Sequence, residues 1–96
     1  VLKYNADKKY ATSAQKGASI VHLAKNTKSA LQLYTSHSNV SCGSTVGPLI
    51  AQTLGIDTVD IGIPLLSMHS IREIMSVHDH LEMCTFLTHF LDYDTL

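Results

Sequence analysis

The stretch from Asp57 to Glu73, DTVDIGIPLLSMHSIRE, leaves the chain fewer choices than any other part of it. Val59, Ile61 and Ile63 alternate with Thr58, Asp60 and Gly62, the period of a pleated strand with one face buried. Pro64 has no N–H to give to a ladder, so the strand must stop there. Ser70 and Glu73 match the S-x-x-E capping box, in which the serine hydroxyl accepts from the Glu73 N–H and the carboxylate accepts from the Ser70 N–H. The pattern predicts a strand, a turn and a helix opening at Ser70. One imidazole, His69, falls at the join, with Met68 and Ser70 anchoring its backbone. Open α/β folds bind ligands in the crevice at the carboxyl ends of their strands, which makes His69 the candidate for chemistry.

Upstream, Val1-Leu2-Lys3-Tyr4 reads as a short strand, and Asn5 to Lys9 as a solvated polar turn. Thr12 and Gln15 make a second capping box. With the narrow apolar stripe Ala14, Ala18, Val21 and Ala24, they predict a helix from Thr12 to Lys25, ended by Asn26. Gly17 costs that helix about 1 kcal/mol relative to alanine unless something packs closely against it. His22, beside the stripe, reads as a partly buried structural histidine.

Leu31, Leu33 and Thr35 alternate with Gln32 and Tyr34, predicting a second strand over 30–36. The polar loop 37–45 that follows is longer than most connections, and such loops at strand ends are often functional. A helix is expected from Val46 to Leu54, capped by Ser44 or Thr45, with Pro48 in its first turn and Gly55 closing it. Strand, helix and strand over 30–63 then form a βαβ unit. A parallel pairing of its strands would set loops 37–45 and 64–69 side by side. After a break at Ser76-Val77, a helical run to Asp92 carries Leu81, Cys84, Leu87 and Leu91 on one face, with Met83, Phe86 and Phe90 beside it. So wide an apolar perimeter asks for more cover than two or three strands provide.

Composition narrows the function classes. With 45% apolar and 16% charged residues among 96, the chain suits one small globular domain. A formal charge of −1 and a pI near 6.6 give no support to a nucleic-acid or anionic-membrane partner. No apolar run reaches the roughly 18 residues a spanning helix needs. Cys42 and Cys84, far apart and without CxxC spacing, fit free thiols in a reducing, cytoplasmic compartment. The start at Val1, without an initiator methionine, gives the expectation of a fragment.

Three further signals have plain structural readings. In His78-Asp79-His80, residues i and i+2 of a helix point about 200° apart and cannot share one ion, so a polar helix start is the simpler account. Cys42 beside Gly43 suggests a nucleophilic thiol, but no base is assigned to it beyond the nearness of His37. Gly43-Ser44-Thr45 before a helix can cradle an anion through backbone N–H groups, a weak signal by itself.

The segment CGSTVGPLIAQTLGIDTVDIGIPLLSMHSIRE resembles the C-terminal signature of the aspartyl aminopeptidase family of zinc exopeptidases, which includes the vacuolar aminopeptidases. The upstream KYNADKKYATS is similar to the same family's K-x-N-x-x-x-R-Y-A-T/S-N. Here Lys9 stands for the common arginine, Ser13 for asparagine, and His37-Ser38-Asn39 for Arg-Asn-Asp.

The resemblance implies an α/β fold: the C-terminal part of an α/β/α sandwich zinc-peptidase domain over 1–96, with a βαβ unit and a C-terminal helix. It implies that His69 is a ligand of a two-zinc site whose other ligands and general base lie upstream. Lys3 corresponds to the lysine that pairs with the acidic side chain of the substrate's N-terminal residue. Tyr10 corresponds to the catalytic tyrosine near the scissile carbonyl, and Gly43 and Met68 complete the expected substrate contacts. The expected partners are a peptide with an acidic N-terminus and further copies in a homo-oligomer. A vacuolar or lysosome-like compartment is the alternative to the cytoplasm. The rival reading is a non-catalytic assembly segment of a large homo-oligomer.

Overall fold

Residues Leu2–Tyr4 (β1) lie between two other short strands, Leu33–Thr35 (β2) and Asp60–Ile61 (β3), in a mixed sheet of order β2-β1-β3. The computed structural model that carries these elements describes residues 1–5, 10–35 and 43–93. Among the described residues three helices accompany the sheet: Ala14–Asn26 (α1), Gly47–Leu54 (α2) and Val77–Leu91 (α3). The α/β class read from the sequence is the class observed. Among the described residues, no helix is long and apolar enough to cross a membrane.

The βαβ unit lies elsewhere than expected. It is β1-α1-β2, whose strands pair in parallel with Lys3 opposite Tyr34. The strand expected over 58–63 shrinks to two residues and runs antiparallel to β1, placing Leu2 opposite Ile61 and Lys3 opposite Asp60. It is not a neighbour of β2, so loops 37–45 and 64–69 do not leave a parallel pair. The cause is local. The Asp60 N–H donates to Thr12 Oγ1, and the hydroxyl takes a donor that a longer ladder would have used. Val59 and Ile61 still pack on the core, so the alternation reported burial more faithfully than strand length.

Helix α1 starts one residue later than its predicted capping box. Ser13 is extended and accepts from the Lys16 N–H at 3.3 Å, while Thr12 is engaged by Asp60. The inward face is Gly17, Ile20, Leu23 and Ala24, rotated from the predicted alanine stripe, of which Ala14 and Ala18 are exposed. Burying Ile20 and Leu23 removes far more apolar area than burying two alanines, and that difference sets the rotation. His22 is exposed rather than partly buried, and its Nε2 lies 3.1 Å from Asn26 Nδ2.

Helix α2 is capped at Val46 with no side-chain bond, and Gly55 ends it in the left-handed region at φ 65°. Thr45 does not act as the cap. Its hydroxyl accepts from the Gly47 N–H at 3.3 Å.

Helix α3 begins after Ser76, with no helix at Ser70, and Asp79 sits favourably in its first turn. Phe86 is buried and Met83 and Phe90 are half-buried, whereas the predicted face is outward, with Leu81 59% and Leu91 79% exposed. The two stripes compete, and the one bearing two phenylalanines buries more surface. His78 pairs with Glu82 at 3.7 Å, and His80 Nε2 lies 3.8 Å from Cys84 Sγ, so the two imidazoles serve different neighbours. The core is Leu2, Ile20, Leu23, Ala24 and Phe86, gathered where α1 and α3 meet β1.

Candidate functional site

Lys3 occupies the centre of the sheet, flanked by Tyr34 and Asp60. Its ammonium stands 5.6 Å from the centroid of the Tyr10 ring, a cation–π contact. Tyr10 in turn meets Tyr34 edge-on, with centroids 6.4 Å apart at 62°. Gly62 makes room for the cation: a Cβ there would come within 3.2 Å of Lys3 Cε and 3.3 Å of Nζ. The sequence singles out Lys3 and Tyr10, and the structure sets them against each other. It does not single out Tyr34 or Gly62. The aromatic at the register position of Lys3 is legible only once the parallel pairing is known.

Lys3 also lines a cleft of about 620 Å³. Ile61, Ile63, Met75, Met83 and Leu87 give it apolar walls. Met68 contributes to it, and Glu73 is the second charged residue along it. A half-buried cation in an apolar cleft is suited to a carboxylate, whose lost hydration only a fixed positive charge replaces well.

His69 rises from a closed loop instead of preceding a helix. Leu66 and Ile74 exchange backbone hydrogen bonds of 2.9 and 3.1 Å, pinning the loop at its base. Ser67 and His69 both adopt positive φ, 58° and 69°. The Ser70 N–H donates to the Ser67 carbonyl at 3.0 Å. The expected capping box is dissolved into other bonds: the His69 N–H donates to Glu73 Oε1 at 2.7 Å, and the Arg72 N–H donates to Ser70 Oγ at 3.1 Å. A left-handed histidine is uncommon, and surrounding bonds must hold it. Glu73 is the residue that does so. The S-x-x-E spacing was the signal for it, read as a helix cap because both motifs tie a glutamate to the N–H of a residue just upstream.

His69 is exposed, and among the described residues no group of three or more His, Cys, Asp or Glu side chains is gathered to hold a metal. The imidazole is one donor of the kind zinc accepts, and further donors would have to come from elsewhere. Gly43 is exposed three residues before the α2 cap, with nothing within 4 Å of the place its Cβ would take. It does not line the cleft of Lys3 and Met68. His37, Ser38, Asn39 and Cys42 lie outside the described residues, as does Lys9.

Comparison with known proteins places this geometry in context. The family model described as aminopeptidase I zinc metalloprotease (M18) matches residues 1–91. The "Probable M18 family aminopeptidase 2" of Ectopseudomonas mendocina is 40% identical over 90 residues, which is 94% of this chain and 21% of that protein. The protein of the same name from Pseudomonas paraeruginosa is 40% identical over 79 residues, 82% of this chain and 18% of its own length. Among solved structures, the crystal structure of prApe1 superposes with a TM-score of 0.92 at 30% identity, covering 96% of this chain and 19% of that one. The cryo-EM structure of the Ape4 and Nbr1 complex gives 0.88 at 31% identity, over 93% of this chain and 17% of the other. The chain thus spans about a fifth of the length of the curated relatives it matches.

Proposed function

Because the chain belongs to the aminopeptidase I zinc metalloprotease (M18) family, we propose that it is the C-terminal segment of a zinc aminopeptidase that releases N-terminal Asp or Glu from peptides. One observation carries the substrate reading: the Lys3 ammonium lines an apolar cleft at the face of Tyr10. An aspartate or glutamate side chain gains a charge-assisted bond there, and a neutral side chain does not. The Tyr10 hydroxyl donates to the carbonyl oxygen as it becomes an alkoxide. Met68, from the cleft wall, and Gly43 supply further substrate contacts.

His69 serves as a metal ligand in this reading, its imidazole held by the bond from its own N–H to Glu73. Bound zinc, a pair of ions in the intact site, supplies an activated water and a polarised carbonyl. The remaining donors belong to residues outside this chain. This chain's part is to seat the acidic side chain, donate to the oxyanion and present one imidazole. The enzyme acts in the cytoplasm, with a vacuolar or lysosome-like compartment as the alternative, and assembles as a homo-oligomer.

The test is release of Asp, Glu and Leu from matched peptides by the intact protein, before and after chelation and on return of zinc. Acidic residues should be released preferentially, in a chelator-sensitive and zinc-restored manner. Preference for Leu would overturn the substrate assignment, and chelator-resistant activity would overturn the metal assignment. The exposed apolar side chains of α2 and α3 favour the second reading, a non-catalytic assembly segment. An intact protein that oligomerises without hydrolysing any of the peptides would support it.

A further inference from the structure

Asp60 makes contacts that the reading above leaves unused. Its Oδ2 accepts from the Ala11 N–H at 2.5 Å, and its own N–H donates to Thr12 Oγ1 at 2.8 Å. The two residues that follow Tyr10 are therefore clipped to β3 by one aspartate. Helix α2 closes the clip from the other side. Gly47, its buried first residue, is so close that a Cβ there would lie 2.5 Å from Asp60 Oδ2 and 3.1 Å from Ala11 Cβ. The carboxylate at this end of α2 is also on the favourable side of the helix dipole. Asp60 is at the same time the register partner of Lys3 across the antiparallel pair. One residue is thus tied by the ladder to the cation and by the clip to the residue next to the phenol.

We propose that Asp60 is a positioning residue that holds Tyr10 against Lys3, fixing the separation between oxyanion donor and carboxylate-binding cation. The catalytic part of this inference rests on the reading of Tyr10 given above. An oxyanion donor works only within about 2.7–3.1 Å of the developing charge, so a loosened Tyr10 loses turnover while Lys3 still binds substrate.

Two measurements on the intact protein test it. In the first, tyrosines are replaced by 3-fluorotyrosine and the Tyr10 resonance is assigned by its loss in Tyr10→Phe. Asp60→Ala should shift and broaden that resonance and remove its response to Lys3→Met. Gly47→Ala, which displaces the carboxylate sterically, should do the same, and Asp60→Asn, which keeps an acceptor oxygen, should largely restore the wild-type signal. An unchanged Tyr10 resonance in both Asp60→Ala and Gly47→Ala would overturn the clip whether or not the protein is active.

The second measurement is a double-mutant cycle on an acidic peptide. Asp60→Ala should lower kcat by roughly 10- to 100-fold with little change in KM, and should add almost nothing in a Tyr10→Phe background. Equal losses in both backgrounds would make Asp60 a merely structural residue. A wild-type protein without activity on acidic peptides would sink the functional reading and leave the clip to the fluorine spectra.

Discussion

Lys3 can stand half-buried at the middle of a sheet because its neighbours on that face are suited to a cation. Tyr10 offers a ring face, and Gly62 offers the space a larger residue would take. On the proposed reading, this cation selects acidic substrates. In the intact protein, Lys3→Ala should remove a charge-assisted contact of roughly 1.5–3 kcal/mol from acidic substrates, about 10- to 150-fold in kcat/KM, and leave Leu or Ala substrates nearly untouched. Equal loss on both classes would show that Lys3 serves the fold. His69 invites a different test, because its loop is held by main-chain bonds and by Glu73 rather than by the imidazole. His69→Ala should melt close to wild type but lose activity and zinc, as read by metal mass spectrometry. Retention of full metal content and activity would dismiss it as a ligand. The neighbouring Ser70→Ala should cost at most a few tenths of a kcal/mol, since Ser70 accepts in an exposed turn and caps no helix.

At the scale of elements, α1 shows how two adjacent hydroxyls divide their work. Ser13 caps the helix, and Thr12 receives the Asp60 N–H that would otherwise seek a ladder partner. Either can cap by sequence; only the approach of β3 assigns them. Gly17 gives the sharpest prediction here. A Cβ at that site would lie 1.9 Å from the Tyr4 hydroxyl and 2.7 Å from Cζ, so β1 and α1 touch through this glycine. Helix propensity alone favours Gly17→Ala by about 1 kcal/mol, but forcing the ring away costs more, typically 1–3 kcal/mol. Gly17→Ala should therefore lower the melting temperature of the intact protein, and Tyr4→Leu should relieve most of the added loss. A stabilised Gly17→Ala would mean that the ring moves freely.

For the whole molecule, the decisive quantity is how little the chain buries by itself. Among the described residues five hydrophobic side chains are buried, of which Leu2 and Leu23 are fully covered, while Ile71 is 102% exposed and α3 turns Leu81, Leu87 and Leu91 outward. At about 1.5–3 kcal/mol per fully buried large side chain, such a core offsets only a small part of the ordering entropy of a chain this long. The isolated 96-residue chain should unfold broadly or aggregate, and should not hydrolyse an Asp-peptide. His69 is the one metal ligand proposed in it, and no cluster of three donors is gathered among the described residues, where catalytic zinc needs about three protein ligands. Cooperative melting of the isolated chain, or chelator-sensitive hydrolysis by it, would contradict this. The wide apolar perimeter of 77–92 was legible from periodicity. Which stripe turned inward was not, because both were apolar and the choice depended on what the partner surface could cover.

Local chemistry settled what depends on a few consecutive residues. Gly55 ends a helix in the left-handed region, alternation marks Val59 and Ile61 as core-facing, and His69 stands out as the imidazole at the join after the strand, whereas Lys3 and Tyr10 are marked by the resemblance carried by KYNADKKYATS. The tertiary structure alone decided matters that turn on competition for a partner. Asp60 took Thr12 and Ala11, and β3 stopped at two residues. Glu73 took the His69 N–H, and the helix expected at Ser70 gave way to a closed loop with a left-handed histidine. Every one of these outcomes satisfies a polar group that local rules would have satisfied otherwise. A hydrogen-bond donor has many acceptors in reach along the chain, and only the packing of distant segments determines which of them it meets.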